Sequence, residues 1–406
     1  MTNNSEGLEL RRKRMAHGPA ILRGGFRLFF LGAAVWAIFA LAAWLAIFWG
    51  LASQSPIADP LAWHRHEMLF GFVGAAIAGF ALTAVPNWTG RPPIAGWPLA
   101  VLFAIWAAGR LLAFLVPPES PFLITVDGGF YLLLAGLLGR EVVQSGNRNL
   151  PVVAIISLFG LADLGDRIAM GGHADTGPFT WRGGLVLVIL LIGVIGGRII
   201  PSFTRNWLAA KGAGGALPTQ PGIFDKLVLA ATAIALVSWL FLPFSTATGA
   251  CLLIVAAGHF LRLLRWQGWR CWSNPLLIVL HLGYAWLPIG LFLLAFAGLE
   301  QIPQSAAIHA LSAGAMATII LAVMSRASLG HTGRSLVASR AATGAYILLT
   351  LAAVSRVAAA LGWGNQTILL LLAGIGWISG FGLFLVEYGP ILCGARLGER
   401  EKDGTQ

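Results

Sequence analysis

Residues 28–52 read LFFLGAAVWAIFALAAWLAIFWGLA, and this stretch decides the fold class because it contains no charged side chain. About 20 consecutive apolar residues are enough to cross the hydrocarbon core of a bilayer as an α-helix. The stretch is also longer than the roughly 7–15 apolar residues of a cleavable signal peptide. We therefore interpret it as a retained first membrane span.

The composition of the whole chain agrees with this interpretation. Of the 406 residues, 57% are hydrophobic and 11% are charged, whereas about 25% of the residues in a soluble domain are charged. So few charged side chains cannot cover a surface that faces water. We predict an all-α, polytopic membrane helix bundle of about 12 transmembrane helices, each near the length that a bilayer requires.

Turn-forming dipeptides divide the rest of the chain into further apolar stretches. We predict spans at 26–50, 62–85, 97–116, 121–139, 150–170, 181–203, 223–242, 246–265, 275–298, 305–328, 340–361 and 367–390. The seventh and eighth spans are the least distinct, because only Pro243 and a few small polar residues separate them. No internal repeat is recognisable in the sequence.

The distribution of Lys and Arg orients the spans. If the N-terminus is cytoplasmic, the opposite side receives Arg65, Arg182 and little else, and cytoplasmic loops are enriched in these residues. We predict a basic cytoplasmic tail over 1–25, a single transmembrane domain over 26–390 and a cytoplasmic tail over 391–406. The formal net charge of +11 then reflects orientation in the membrane, and no nucleic acid partner is expected.

Two histidines on separate predicted spans lie at matched depths near the outer surface. His66, in WHRHEMLFGF, and His309, in AAIHALSAGAM, each follow the start of their span by about five residues, or about 7 Å of helix. Two imidazoles at one depth on different helices suit axial ligation of one haem iron. His64 is the alternative to His66, since the two lie about 200° apart around a helix and cannot both face one metal.

A second set of histidines lies towards the cytoplasmic surface. His259 and His281, on the eighth and ninth spans, are both about 10 Å from that boundary. His331 closes the tenth span on the same side, about 33 Å of helix from His309, so one metal cannot bind both. Imidazole binds copper and iron alike. The alternative is that these side chains only form hydrogen bonds between helices.

Other ionisable side chains inside the spans are costly to bury in lipid and mark candidate functional positions. Arg110 and Arg198 are candidate partners for haem propionates, because Arg donates paired hydrogen bonds to carboxylates. Asp166 and Arg167 are predicted to pair with each other. The three cysteines show neither CxxC spacing nor an obvious disulfide partner, so we expect no central role for cysteine chemistry.

Four segments of the chain together resemble the NnrS family: WHRHEMLFGFVGAAIAGFALTAVPNWTGRPP, GRIIPSFTRNW, HLGYAWLPIGL and HALSAGAMATIILAVMSRASLGHTGR. The resemblance covers nearly the whole chain. It implies a protein of the bacterial cytoplasmic (inner) membrane that contains haem b and copper and is linked to denitrification and to tolerance of nitric oxide. The motif histidines of the family fall on His64, His66, His259, His281, His309 and His331.

The expected function is therefore that of a haem b and copper redox protein that binds, reduces or scavenges nitric oxide. The span number is also similar to that of haem-copper oxidases and nitric oxide reductases, although the paired histidines of their coupled centre are lacking. Expected partners are the lipid bilayer, nitric oxide and an electron donor that the sequence does not identify. Two other classes stay open: a transporter of metal, haem or a small solute, and a haem-based sensor or maturation factor without turnover.

Overall fold

The computed structural model describes residues 18–52, 57 and 59–397, and its regular secondary structure over these residues is helical. We number the long helices in chain order. They are α1 (Gly25–Phe48), α2 (Pro60–Thr89), α3 (Trp97–Leu115), α4 (Pro121–Gln144), α5 (Leu150–Met170), α6 (Phe179–Ala210), α7 (Ile223–Phe241), α8 (Thr246–Arg265), α9 (Pro275–Gly298), α10 (Gln304–His331), α11 (Arg340–Ala360) and α12 (Gln366–Cys393). Short 3₁₀ turns lie at Ala20–Leu22 and Gly268–Cys271.

Eleven of these described helices are long and apolar enough to cross a membrane. The other one, α5, is of similar length but contains Asp163, Asp166 and Arg167, all of which are buried. Large apolar side chains such as Phe39 and Ile234 are exposed in the middle of their helices, which is typical of helices surrounded by lipid. The prediction of an all-α, polytopic membrane helix bundle is confirmed.

The helix boundaries lie close to the predicted spans, including the indistinct pair that became α7 and α8. The largest difference is in α6, which continues through Pro201 to Ala210. Proline is tolerated in membrane helices because neighbouring groups satisfy the backbone atoms that it frees. The predicted tails fall largely on residues 1–17 and 398–406, which lie outside the described residues. Their boundaries and their cytoplasmic placement stay predictions.

The helices form two compact units. The first comprises the described residues up to Leu187, together with Ala327–Ser335 and those from Leu385 onward. The second comprises Val188–Arg326 and Leu336–Phe384. The single transmembrane domain expected from the sequence stays a prediction.

Both α2 and α10 contain a segment of π-helix. The two segments, Glu67–Val73 and Ala310–Met316, have seven residues each and begin directly after His66 and His309. π-helical hydrogen bonds join residues five apart, and such segments are frequent at functional sites. A proline lies six residues before each of these histidines, and a Thr-Gly-Arg sequence begins 23 residues after each.

The packing of the two π segments is also alike. An added Cβ at Gly71 would lie 2.6 Å from Nε1 of Trp36, and one at Gly314 would lie 2.5 Å from Cδ2 of Trp286. In both cases the tryptophan comes from the preceding long helix, so each π segment depends on a glycine for its close approach. The α1–α2 and α9–α10 pairs therefore share a π segment after a histidine and a glycine that packs against a tryptophan. The sequence did not reveal this local similarity, because its matching residues are few and widely spaced.

Within the first unit, Arg27 of α1 joins the N-terminal helix to the end of α12. Its side chain is 3% exposed, and Nη1 donates hydrogen bonds of 2.7 Å to the carbonyl oxygens of Leu392 and Gly394. Carbonyl groups in the last turn of a helix have no partner within the helix. Arg27 supplies these partners in a buried position.

Replacement of Arg27 by Met should lower the thermal stability of the detergent-solubilised protein. A hydrogen bond that involves a charged group contributes about 1.5–3 kcal/mol, so we expect a loss of at least about 2 kcal/mol. The matched control is Arg340→Met, at an exposed position in the first turn of α11, where a change within about 0.5 kcal/mol is expected. Equal unfolding midpoints for the two variants would contradict the capping role of Arg27.

Candidate functional site

A buried cluster of ionisable side chains surrounds His66 in the first unit. Its members come from α2, α3, α4 and α5, and each is at most 2% exposed: His66, Glu67, Arg110, Asp127, Asp163, Asp166 and Arg167. Charged groups inside a membrane protein are expensive unless they face one another. The negative charge of the four carboxylates is therefore compensated by the two guanidinium groups and by the imidazole.

Both ring nitrogens of His66 face carboxylates. Nδ1 lies 2.9 Å from Oδ2 of Asp166, and Nε2 lies 3.2 Å from Oδ2 of Asp127. Nε2 is also 3.4 Å from Oδ1 of Asp163. Asp166 in addition accepts a 3.1 Å hydrogen bond from the hydroxyl of Thr180. The imidazole thus joins α2 to α4 and α5.

The two arginines share the remaining carboxylates. Arg110 donates to Oε2 of Glu67 at 2.7 Å and pairs with Asp127, while Arg167 donates to Oε1 of Glu67 at 3.1 Å and also contacts Asp127. The predicted pairing of Asp166 with Arg167 was wrong, because adjacent residues do not face each other on a helix. Arg110, predicted to hold a haem propionate, is occupied by two carboxylates of the protein.

Asp163 is the carboxylate of this cluster whose negative charge has the fewest close partners. It is 0% exposed, and neither of its oxygens has a hydrogen-bond partner. A cavity of about 280 Å³ reaches the edge of the same cluster and is lined by Asp59, Arg65, Asp166 and Arg167, among others. Its polar lining gives water a place beside Asp166.

Within the described part of the chain, one group of three His, Cys, Asp or Glu side chains has ligand atoms within 4.8 Å of one another: His66, Glu67 and Asp127. Both carboxylates already pair with arginines, so a cation here would displace ion pairs. Both nitrogens of His66 likewise have carboxylate partners. In this arrangement the residues do not fit a haem iron at His66, and the ligand role of His66 stays a prediction that requires one nitrogen to be released.

His309 lies at the matching position of the second unit, in a different environment. Its Nδ1 is 2.7 Å from the carbonyl oxygen of Ser305, the imidazole is partly exposed, and Ala310 stands where the first unit has Glu67. An Nδ1–H that donates to a backbone carbonyl leaves the lone pair on Nε2, which is the usual state of a metal-bound histidine. The role of His309 as a metal ligand stays a prediction.

Three other predicted residues, His64, His331 and Arg198, lie at partly or fully exposed positions. His64 stacks on Trp44 with 4.6 Å between ring centroids, and His331 lies 5.4 Å from the ring of Phe26. Arg198 is exposed on α6. The cofactor roles predicted for these three residues stay predictions.

His259 belongs to a buried hydrogen-bond network of the second unit. Its Nε2 lies 2.9 Å from the hydroxyl of Thr232, and its Nδ1 lies 2.7 Å from the hydroxyl of Tyr284. Arg262 donates to the same Tyr284 hydroxyl at 2.6 Å and to Asp225 at 2.9 Å. Both nitrogens of His259 thus face hydroxyl groups from neighbouring helices, and its predicted role as a metal ligand stays a prediction.

His281 has different neighbours from His259. Its Nε2 lies 2.9 Å from Oγ1 of Thr204, whereas its Nδ1 is buried without a hydrogen-bond partner. Cys271, at the end of the 3₁₀ turn Gly268–Cys271, is 0% exposed. Burial raises the pKa of the Cys271 thiol, and the Thr204 hydroxyl and the charge of Arg270 act in the opposite direction. The spacing of the cysteines in the sequence does not reveal the surroundings of Cys271, because Thr204 is distant in the sequence.

These features define a polytopic membrane protein with two buried polar centres. The chain belongs to the NnrS family: residues 20–396 match the family described as NnrS protein. The family is linked to the response to nitric oxide. A comparison with curated proteins found no match.

Replacement of Glu67 by Gln should destabilise the first unit strongly, because Arg110 and Arg167 would then share too few carboxylates. Breaking a buried ion pair by removing one partner costs about 3–5 kcal/mol. Chemical unfolding in detergent would measure this loss, with Glu119→Gln at an exposed position as the control. The double variant Glu67→Gln, Arg110→Met should recover part of the loss. Control-like stability of Glu67→Gln would contradict the assigned pairing.

Proposed function

We propose that this protein is a haem b and copper redox protein of the bacterial cytoplasmic membrane that binds nitric oxide and reduces or scavenges it. Membership of the NnrS family supports the link to nitric oxide. The observation that carries the haem assignment is the hydrogen bond from His309 Nδ1 to Ser305, directly before a π segment. The electron donor is a separate partner.

His309 would hold the haem iron through Nε2. The bound haem supplies an iron that takes a diatomic gas as a ligand. The carbonyl of Ser305 fixes the tautomer and the ring orientation of His309, since both atoms belong to the same helix. The π segment fixes where this ring leaves the helix, because Gly314 packs directly against Trp286. Arg198 is the remaining candidate for a propionate partner.

Replacement of His309 by Ala should remove haem b absorbance from the purified protein, because the iron loses its ligand. The control is His173→Ala, at an exposed loop residue whose Nε2 lies 3.0 Å from the carbonyl oxygen of Glu119. His173→Ala should keep the wild-type haem content and the optical change on addition of nitric oxide to the reduced protein. A His309→Ala protein with full haem content would contradict the assignment.

His66→Ala distinguishes the two possible roles of His66. If His66 serves only the ionic cluster, a folded His66→Ala protein keeps its haem. If haem is lost while the fold is retained, the result supports the prediction from the sequence that His66 and His309 are the two axial ligands.

A second candidate function, translocation of protons or of another cation, is favoured by one observation. Asp163 is a fully buried carboxylate without a hydrogen-bond partner, and a polar cavity reaches the same cluster at Asp166. Ionisable side chains at such positions mark ion pathways in many transporters. Cation uptake by proteoliposomes of a colourless, metal-free preparation, abolished in Asp163→Asn, would favour this function over the redox function.

A further inference from the structure

The geometry points to a site for a divalent transition-metal ion in the first unit, bound by Nε2 of His66 and by one carboxylate oxygen each of Asp127 and Asp163. The site is separate from the haem of the proposed function and does not use His309. It also differs from a site with Glu67, because both oxygens of Glu67 already accept hydrogen bonds from arginines.

The first observation is an excess of negative charge. Within the buried cluster four carboxylates face two guanidinium groups, and each of these side chains is at most 2% exposed. With a neutral His66, the cluster therefore carries two uncompensated negative charges. Arg65 adds a cation only at the edge, where it lies 3.8 Å from Asp166 with 32% of its side chain exposed. Such an excess is costly inside a membrane, and one divalent ion supplies both missing charges.

The second observation is that the excess falls on Asp163. This residue is 0% exposed, and neither of its oxygens forms a hydrogen bond with any described residue. Glu67 and Asp127, by contrast, each contact both arginines of the cluster. Buried charges in proteins are paired with opposite charges or coordinate metal ions. The free oxygens of Asp163 therefore mark one side of a cation site.

The third observation is the orientation of His66. Its Nδ1 lies 2.9 Å from Oδ2 of Asp166, and Oδ1 of the same carboxylate accepts a 3.1 Å hydrogen bond from Thr180. An ionised carboxylate only accepts hydrogen bonds, so Nδ1 carries the ring proton and the lone pair lies on Nε2. A carboxylate that accepts from the far nitrogen is the usual arrangement around a metal-bound histidine.

The spacing of the donor atoms fits a single ion. Nε2 of His66 lies 3.2 Å from Oδ2 of Asp127 and 3.4 Å from Oδ1 of Asp163. Nitrogen and oxygen ligands bound about 2.1 Å from one metal ion are roughly 3.0–3.4 Å apart at octahedral to tetrahedral angles. Asp127 also contacts Arg167 through Oδ2. A carboxylate oxygen has two lone pairs, so it can accept from the guanidinium and bind the ion together.

A second proton on His66 is the alternative to a metal ion. An imidazolium would donate from Nε2 to Asp127, but Asp163 would keep its free oxygens and the buried cluster would keep one uncompensated negative charge. A divalent ion removes both defects. One imidazole and two carboxylates form a mixed nitrogen and oxygen set, which suits manganese(II), iron(II) and zinc(II), whereas copper(I) prefers sulphur. The cavity beside Asp166 provides the entry path that such a site needs.

Manganese(II) added to the purified, chelator-treated full-length protein tests the site, because EPR counts the bound ion. The wild type should bind one ion per chain at the cluster. Asp166→Asn, which changes only the orienting carboxylate, should weaken binding by roughly 10–100-fold, and the ligand variant Asp163→Asn should weaken it further. The matched control is Asp175→Asn, at an exposed position that also lines the cavity, and it should bind like the wild type.

Unfolding midpoints distinguish a metal ligand from a purely structural carboxylate. Without metal, Asp163→Asn should be at least as stable as the wild type, because the substitution removes an uncompensated negative charge. With saturating manganese(II), the wild type should be the more stable of the two. A purely structural Asp163 would give the same difference in midpoint with and without the metal, and this result would overturn the inference.

Electron spin-echo spectroscopy of the wild type loaded with manganese(II) does not depend on the folding of a variant. Coupling of the metal to the nitrogen of one imidazole is expected, and a spectrum without it would overturn the inference. Haem content is measured on the same samples. A folded His66→Ala protein that loses haem would show that Nε2 serves the haem iron, which would also overturn it. Haem retained by His66→Ala with manganese binding lost is the expected result.

Discussion

The structure depends on the need to compensate charge inside the membrane. Four carboxylates, two guanidinium groups and His66 lie together at almost no exposure, and lipid offers none of them a partner. Their contacts therefore fix how α2, α3, α4 and α5 pack in the first unit. The same requirement explains why α5 carries three ionisable residues in a helix that is otherwise apolar.

The two π segments follow histidines that lie in different environments. Both begin directly after a histidine, and both pack a glycine against a tryptophan. The first continues with Glu67 and encloses His66 among carboxylates, so its imidazole serves the packing of the unit. The second continues with Ala310, and Nδ1 of His309 forms a hydrogen bond with the carbonyl oxygen of Ser305. Two similar π segments thus follow histidines that have different hydrogen-bond partners.

Apolar length and charge distribution were sufficient to predict the spans, because these properties are local to the sequence. Equal depth also singled out His66 and His309, and each of them directly precedes a π segment. Depth alone does not give the direction of a side chain around its helix. His259 and His281 are matched in depth, yet they face different groups. His259 faces the hydroxyl groups of Thr232 and Tyr284, and His281 faces that of Thr204. The neighbourhood of Cys271 arises only when α6, the 3₁₀ turn and α9 come together.

The central proposal is that this chain holds a haem iron through histidine and that this iron binds nitric oxide. An optical and elemental analysis of the purified wild-type protein, followed by addition of nitric oxide to the reduced form, tests it most directly. The account predicts the absorption of a b-type haem, a change of that spectrum when the gas is added, and copper in the same sample. A folded protein without colour or bound metal, and without any response to nitric oxide, would contradict it.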